Sequence, residues 1–459
     1  MRRIILSAIS SGSGKTTITC GLLKELKDRG LLVNSYKCGP DYIDPMFHKK
    51  VLGIPSENID LFFSDEEYVN KILYRNKEAD ISVIEGAMGI YDGILGKGNE
   101  GSVYDLAVKT GTPIVLIVDA HGMGNTLISV IKGIKLDDKE DLIKGIILNR
   151  ISEHFYKSIY PLIEEQTDIK VLGFVGKLKD ISIDSRHLGL KLPDEINDLS
   201  VQIESVRSEI SKTIDIDGLI SIAEGAKEIE TESDIVDDKR IDDGSLNMAA
   251  GYINNKPRLA VAYDEAFCFY YEENFRVLKD AGVELVFFSP IHDKKLPNDI
   301  SGILIGGGYP ELKLNELEAN ESMRDSIKNA LEKGMPSLAE CGGFMYLHDT
   351  ISNDRESYNM VGAVSGNCFD TGKLCRFGYV NVSISDYIIK GHEFHYYDST
   401  NNGTDGKAVK PDGKRQWEFG HYSKGRLWGF PHLYYGSCVK FIDEFVDAMK
   451  EYQENNLNG

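Results

Sequence analysis

The apolar positions of this chain fall into short continuous runs instead of alternating with polar ones. Residues 3–9, 32–36, 80–84, 113–118, 145–148 and 171–175 are each rich in Ile, Val and Leu. Such runs predict parallel strands covered on both faces. Between them lie segments of helical length and periodicity, residues 16–29 being the clearest. This βαβ alternation predicts a doubly wound α/β sheet. The pattern breaks at about residues 225–256, where EGAKEIETESDIVDDKRIDDGS is acidic and poor in large apolar side chains. Such a stretch predicts a solvated linker. Strand-like runs resume at residues 259–262, 283–288, 302–305 and 337–339, with helices expected over 270–281 and 321–333. The expected organisation is two α/β domains, residues 1–224 and 257–459, joined by an acidic connection at 225–256.

Length agrees with two domains, because 459 residues exceed what one ordinary core organises. A hydrophobic content of 42% with 27% charged residues describes a soluble globular chain. No run reaches the roughly 18 apolar residues of a membrane helix. The first residues read as a strand, not a signal peptide. The formal net charge of −20 argues against nucleic-acid binding but leaves room for a local anion pocket. Seven cysteines with no CxxC spacing make a disulfide framework or zinc site improbable and fit a reducing cytoplasm. A homo-oligomer is compatible with this composition.

Ser10-Ser11-Gly12-Ser13-Gly14-Lys15-Thr16-Thr17 follows the first run and precedes a helical segment. Glycines let such a loop turn its N–H groups toward phosphate oxygens, and the helix N-terminus adds partial positive charge. Gly12, Ser13, Gly14, Lys15, Thr16 and Thr17 are therefore candidate ATP-binding residues, with Thr16 also a Mg²⁺ ligand. The strict phosphate-loop pattern is not met, since Ile9 stands where its first glycine belongs. Two further stretches lie at carboxyl ends of predicted strands, where open α/β sheets bind ligands. They are Lys37-Cys38-Gly39-Pro40-Asp41-Tyr42-Ile43-Asp44-Pro45 and Glu85-Gly86-Ala87-Met88-Gly89-Ile90-Tyr91-Asp92-Gly93. A hard cation beside phosphates takes oxygen ligands, which nominates Asp41 and Glu85 beside Thr16. Asn149, at the end of another run, is a candidate contact to the nucleotide base.

Ser337-Leu338-Ala339-Glu340-Cys341-Gly342-Gly343-Phe344 reads as strand, sharp turn and helix, the setting of an exposed nucleophile. The following helix is expected to lower the thiol pKa. The Gly342 amide and the glycines 306–308, including Gly307 and Gly308, are candidate oxyanion donors. A thiol nucleophile needs a base, and His292, His348, His392, His395, His421 and His432 all qualify on sequence grounds.

These residues together resemble one family. SGSGKTT, KCGPDYIDP, VIEGAMGIYDG, RHLGL, DEAFCFYYEEN, FFSPIHDKKLP, GGGYPEL, AECGGFMYL, RFGY and GHEFHY occur in the order found in cobyrinate a,c-diamide synthases. The resemblance implies a dethiobiotin-synthetase-like phosphate-loop domain followed by a flavodoxin-like class I glutamine amidotransferase domain. It implies Cys341 as glutaminase nucleophile and His432 as its base, and puts Asp41, Tyr42, Asp44, Glu85 and Asp92 in motifs for metal and substrate, Tyr42, Asp44 and Asp92 facing the substrate. The implied reaction is amidation of the a and c carboxylates of cobyrinic acid through an acyl phosphate, with ATP, Mg²⁺ and ammonia from glutamine. The alternatives are the same reaction on hydrogenobyrinic acid or nickel sirohydrochlorin, and a nucleotide-switch protein carrying an inactive amidotransferase domain. The chain departs from the family in three places. Ala8 replaces an early glycine of the loop, His432-Leu433-Tyr434 lacks the second histidine often seen, and no glutamate follows His432 by two residues.

Overall fold

A computed structural model of the chain describes residues 1–94, 96–178, 199–229, 256–353 and 355–457. It divides into two compact units, Met1–Leu246 and Asn247–Gly459. In the first, seven strands form one sheet: β1 (Arg3–Ala8), β2 (Val33–Cys38), β3 (Ser56–Ile59), β4 (Ile81–Glu85), β5 (Ile114–Asp119), β6 (Ile143–Asn149) and β7 (Lys170–Val175). All pair in parallel, in the order β3-β2-β4-β1-β5-β6-β7. The six apolar runs each became a strand. β3 was not anticipated because Ser-Glu-Asn-Ile carries one large apolar residue; it sits at the sheet edge and its polar side chains bond inward.

β1 lies in the middle of the sheet, with Ile4, Ile5 and Leu6 fully buried. The chain builds one side of the sheet from β2, β3 and β4 and then the other from β5 to β7, so the carboxyl end of β1 opens on the crevice where such sheets bind ligands. Arg3, at its other end, is also buried. Its guanidinium donates to Thr112 Oγ1 at 3.0 Å, to Thr110 O at 2.6 Å and to Lys227 O, so the charge is compensated. Lys227 N in turn donates to Gly111 O at 2.9 Å. The first unit thus extends a few residues into the stretch expected to be linker. The rest of that stretch, residues 230–255, and the RHLGL motif at 186–190 lie outside the described residues.

The second unit begins with β8 (Arg258–Ala262), β9 (Glu284–Phe288), β10 (Gly302–Ile305) and β11 (Ser337–Glu340). The chain then leaves this sheet for β12 (His348–Ser352), β13 (Ser357–Asn359), β14 (Val364–Asp370), β15 (Arg376–Ile384), β16 (Tyr387–His395), β17 (Tyr397–Ser399), β18 (Gly406–Val409) and β19 (Gln416–Phe419). It closes with β20 (His421–Ser423), β21 (Arg426–Gly429), β22 (His432–Leu433) and a helix, Val439–Leu457. The main sheet has the order β20-β21-β11-β10-β8-β9 and is parallel except for β20. A second sheet, β19-β18-β15-β16-β22, is antiparallel. In β15 Val380, Val382 and Ile384 alternate buried with less buried neighbours, as in a sheet with one face on the core. Among the described residues no helix is long and apolar enough to cross a membrane.

Candidate active sites

In the first unit β1 ends at Ala8 and a helix starts at Lys15 (Lys15–Asp28), so the glycine-rich stretch is the turn between them. Gly12 and Gly14 have φ of 76° and 89°, in the left-handed region that favours glycine. A Cβ on Gly14 would also lie 2.2 Å from Asn149 Nδ2. Asn149 donates to Ser13 O at 2.8 Å, and Arg150 donates to Gly12 O at 2.9 Å. Asn149 therefore holds the loop from behind, a contact its place at a strand end did not indicate. Lys15 Nζ folds over the loop, 2.5 Å from Met88 O and 3.1 Å from Ser10 O. Burial first, then the nearby Lys37 charge, lowers its pKa to about 8.

Beneath the loop is a buried charged cluster. Thr16 Oγ1 donates to Glu85 Oε1 at 2.6 Å and lies 3.4 Å from Asp44 Oδ2. Lys37 Nζ pairs with Asp44 and, at 3.0 Å, with Glu85. The register Lys37↔Glu85 between β2 and β4 makes that pair unavoidable once the sheet forms. His48 Nε2 faces Glu85 Oε2 at 3.4 Å. Burial would push Glu85 up, but Lys37, His48 and Thr16 outweigh it and hold the carboxyl well below its usual range. Burial and then the Glu85 charge drive Asp44 upward. Burial disfavours charged Lys37, yet Asp44 and Glu85 keep its pKa well above the ordinary value.

Of the three candidate metal ligands, Thr16 and Glu85 meet. Asp41 Oδ1 accepts from Ile43 N at 2.8 Å in the turn before a helix (Ile43–Lys50), and Asp44 is the second carboxylate in the cluster. The donor set is all oxygen, which fits a hard dication that takes one or two carboxylates and completes its shell with phosphate and water. Tyr42 is buried and Asp92 Oδ2 accepts from Gly89 N at 2.9 Å. Lys37 and His48 were missed as site residues. Lys37 stands in the quoted KCGPDYIDP motif; His48, three residues beyond it, gave no signal of its own.

In the second unit β11 ends at Glu340 and Cys341 takes φ 47°, ψ −107°, a conformation few non-glycine residues adopt. The turn is held on both sides. Cys341 N donates to Gly429 O at 2.9 Å and Gly343 N to Gly306 O at 2.9 Å. A Cβ on Gly343 would strike Ile305 O at 2.0 Å, so the elbow admits no side chain there. A Cβ on Gly342 would lie 3.3 Å from Gly308 N, which brings the two candidate oxyanion amides together.

The expectation of a lowered thiol pKa needs correcting. The helix after Cys341 is one short turn, Gly342–Tyr346, and burial, followed by the Glu311 charge, pushes the thiol far up; only the Gly342 amide pulls it down. The closed pocket stores the nucleophile as a neutral thiol, so a base is required.

The structure separates the histidines. His292 is exposed and pairs with Glu265, His348 bonds Phe344 O and Ser399 Oγ, and His421 Nε2 lies 3.3 Å from Asn401 O. His432 alone packs on the oxyanion loop: a Cβ on Gly307 would lie 2.2 Å from its Cε1. Its ring stacks on His392, with centroids 5.5 Å apart, and β16–β22 pairing sets the two opposite each other. Burial, then His392 and His395, holds His432 well below its usual pKa, so the imidazole rests neutral and is a weaker base than a free histidine.

Glu340 adds a pH dependence to this unit. Burial raises its carboxyl from 4.5 to about 8, despite donation from Tyr435 Oη at 2.8 Å and Leu433 N at 3.3 Å. The folded state keeps this proton where the unfolded state has released it. The associated stability is full below 4.5 and is lost as pH rises through about 8. Glu340→Gln, which mimics the protonated form, should flatten that loss. Urea midpoints at several pH values across this window check it, and an unchanged slope counts against a protonated Glu340.

Comparison with known proteins bears on both sites. Residues 4–190 match the CobQ/CobB/MinD/ParA nucleotide binding domain, and residues 258–430 the CobB/CobQ-like glutamine amidotransferase domain. The chain is 39% identical over 466 residues to a cobyrinate a,c-diamide synthase of Thermoplasma volcanium, covering 98% of each chain. It belongs to the cobyrinate a,c-diamide synthase family. Relatives of the same name from Clostridium tetani and Priestia megaterium are 37% and 36% identical, over 97% and 98% of this chain and 100% and 97% of theirs. The two matched domains fall one within each unit, the first carrying the phosphate loop and the second the cysteine elbow.

Proposed function

We propose that this chain converts cobyrinic acid to its a,c-diamide, using ATP and glutamine. The observation that carries the proposal is the presence in one chain of a phosphate loop over a Thr16–Glu85–Asp44 oxygen cluster and a strained cysteine elbow facing two glycine amides. Each half supplies what the other lacks. A carboxylate does not accept ammonia at neutral pH until one oxygen becomes a leaving group. Transfer of the γ-phosphoryl of ATP to that oxygen gives an acyl phosphate and ADP. Ammonia then attacks the acyl carbon and inorganic phosphate departs, leaving the amide; a second round serves the other carboxylate.

On this reading Gly12, Ser13, Gly14, Thr17 and Lys15 hold the nucleotide phosphates, and Asn149 keeps the loop in shape. Mg²⁺, held by Thr16, Glu85 and Asp44, would neutralise phosphate charge. Tyr42, Asp41 and Asp92, around the same strand ends, serve the macrocycle and the metal shell. In the second unit His432 takes the thiol proton as Cys341 attacks the glutamine amide carbon. The Gly342 and Gly308 amides receive the oxyanion, ammonia leaves, and water hydrolyses the thioester to glutamate. The chain acts in the cytoplasm on small molecules, with no need for nucleic acid or membrane; self-association is compatible with this chemistry but not required by it.

The test is product mass after incubation with cobyrinic acid, ATP, Mg²⁺ and glutamine, with hydrogenobyrinic acid and nickel sirohydrochlorin in parallel. Two amidations of cobyrinic acid are expected. Preference for another macrocycle would keep the chemistry and change the substrate. ATP hydrolysis with no amidation of any of them would overturn the proposal in favour of a nucleotide switch.

A further inference from the structure

The GHEFHY stretch contributes a side chain that the steps above do not use. Glu393 lies in β16, 1% exposed, and among the described residues its Oε2 has no hydrogen-bond partner. A carboxylate so far from water is costly unless something pairs with it. The nearby cations do not meet that need. His395 Nε2 is 3.7 Å away and Arg376 Nε is 4.0 Å away, both beyond hydrogen-bond reach. Arg376 lies over the Trp417 ring and donates to Cys375 O at 3.3 Å, while Lys410 Nζ is held by the carbonyls of Phe377 and Tyr379. His395 commits its Nδ1 to Tyr397 O at 2.7 Å.

The position of this carboxylate is also particular. On one side its neighbour His392 stacks on His432. On the other, the His395 ring stacks on Phe430 with centroids 4.2 Å apart, and Phe430 meets Phe344, three residues after the nucleophile. The Glu393 charge acts on the Cys341 thiol, which agrees with that placement. Glutamine carries an ammonium group one short aliphatic side chain away from the amide that Cys341 attacks. A buried carboxylate oxygen with no hydrogen-bond donor, near the nucleophile and with only long contacts to Arg376 and His395, is the group to receive it, as a charge-assisted hydrogen bond in a water-poor site.

We infer that Glu393 Oε2 accepts the α-ammonium group of the glutamine bound at Cys341, and so selects an α-amino acid as nitrogen donor. This rests on the reading of Cys341 as a glutaminase nucleophile. It explains why a carboxylate is kept beside a thiol whose ionisation it opposes: it serves the substrate, not the nucleophile. Arg376 and His395, at 4.0 and 3.7 Å, leave that acceptor free of a hydrogen bond between substrates.

The experiment compares hydrolysis of glutamine with that of glutaramate, which is glutamine without its amino group, in the wild-type chain and in Glu393→Gln. The wild type should favour glutamine in kcat/KM, and Glu393→Gln should lower that preference by about 100-fold or more, mostly through KM for glutamine. Glu393→Asp should fall between the two. Alkylation of Cys341 by iodoacetamide, which has no ammonium group, should proceed in Glu393→Gln at no less than the wild-type rate, since a charge that opposes the thiolate is removed. Equal losses with both donors, or slowed alkylation, would overturn the inference and make Glu393 a support of the elbow. An unchanged donor preference would overturn it as well. Absence of glutamine hydrolysis by the wild type would instead fail the reading on which it rests.

Discussion

Cys341→Ser is expected to remove glutamine-dependent amidation by at least ~10³-fold while amidation from free ammonium continues, because the first unit contains no part of the elbow. Serine is nearly isosteric with cysteine, so it should keep the φ 47° turn and the bonds of Cys341 N and Gly343 N that hold it. What it loses is a sulfur nucleophile that a neutral imidazole can deprotonate. The hydroxyl is much less acidic than the thiol, and burial has already pushed even the thiol far up. His432 would face a proton it cannot remove at a useful rate. Product mass with glutamine and with ammonium chloride as alternative donors checks this. Loss of both activities would count against separate glutaminase and synthetase sites.

Lys15→Ala should suppress amidation from either donor by roughly 10²–10³-fold, the usual consequence of removing one donor aimed at charge that develops in the transition state. In the structure the ammonium rests on Ser10 O and Met88 O, two neutral carbonyls. The γ-phosphate offers a stronger, charged partner, so the side chain is poised to exchange one for the other. Burial brings its pKa to about 8, which leaves it mostly protonated at neutral pH, and a phosphate would raise it again. Ammonium-dependent product formation together with ATP binding by calorimetry separates this from misfolding. Unchanged amidation would sink the phosphate-loop assignment.

Much of both sites lay in contiguous stretches and was therefore legible. Ser10 to Thr17 is a turn between a buried strand and a helix, and its chemistry is local: glycines at positive φ, a lysine, a hydroxyl. The same holds for Cys341, where strand, elbow and helix are consecutive and the small residues on either side announce the tight turn. Most parallel strands of the first unit were equally clear, since burial on both faces favours continuous apolar runs; the polar edge strand β3 was the exception. The mixed region from β12 to β19 was not, because half-buried strands mix polar residues into every run.

What the sequence by itself determined, then, is local chemistry: a phosphate loop, a cysteine elbow, two α/β units and the family to which such motifs point. What only the tertiary structure decided is partnership. Sheet register set Lys37 beside Glu85 and His392 opposite His432. Packing on Gly307 separated His432 from five other histidines, and Asp44 came within 3.4 Å of Thr16 Oγ1 while Asp41 bonds Ile43 N. Burial reversed the expected shift of the Cys341 thiol and left Glu393 Oε2 without a donor. The reason is common to all of these. A pKa, an ion pair or a base–nucleophile pairing depends on distance and on exclusion of water, and both arise from segments brought together by folding.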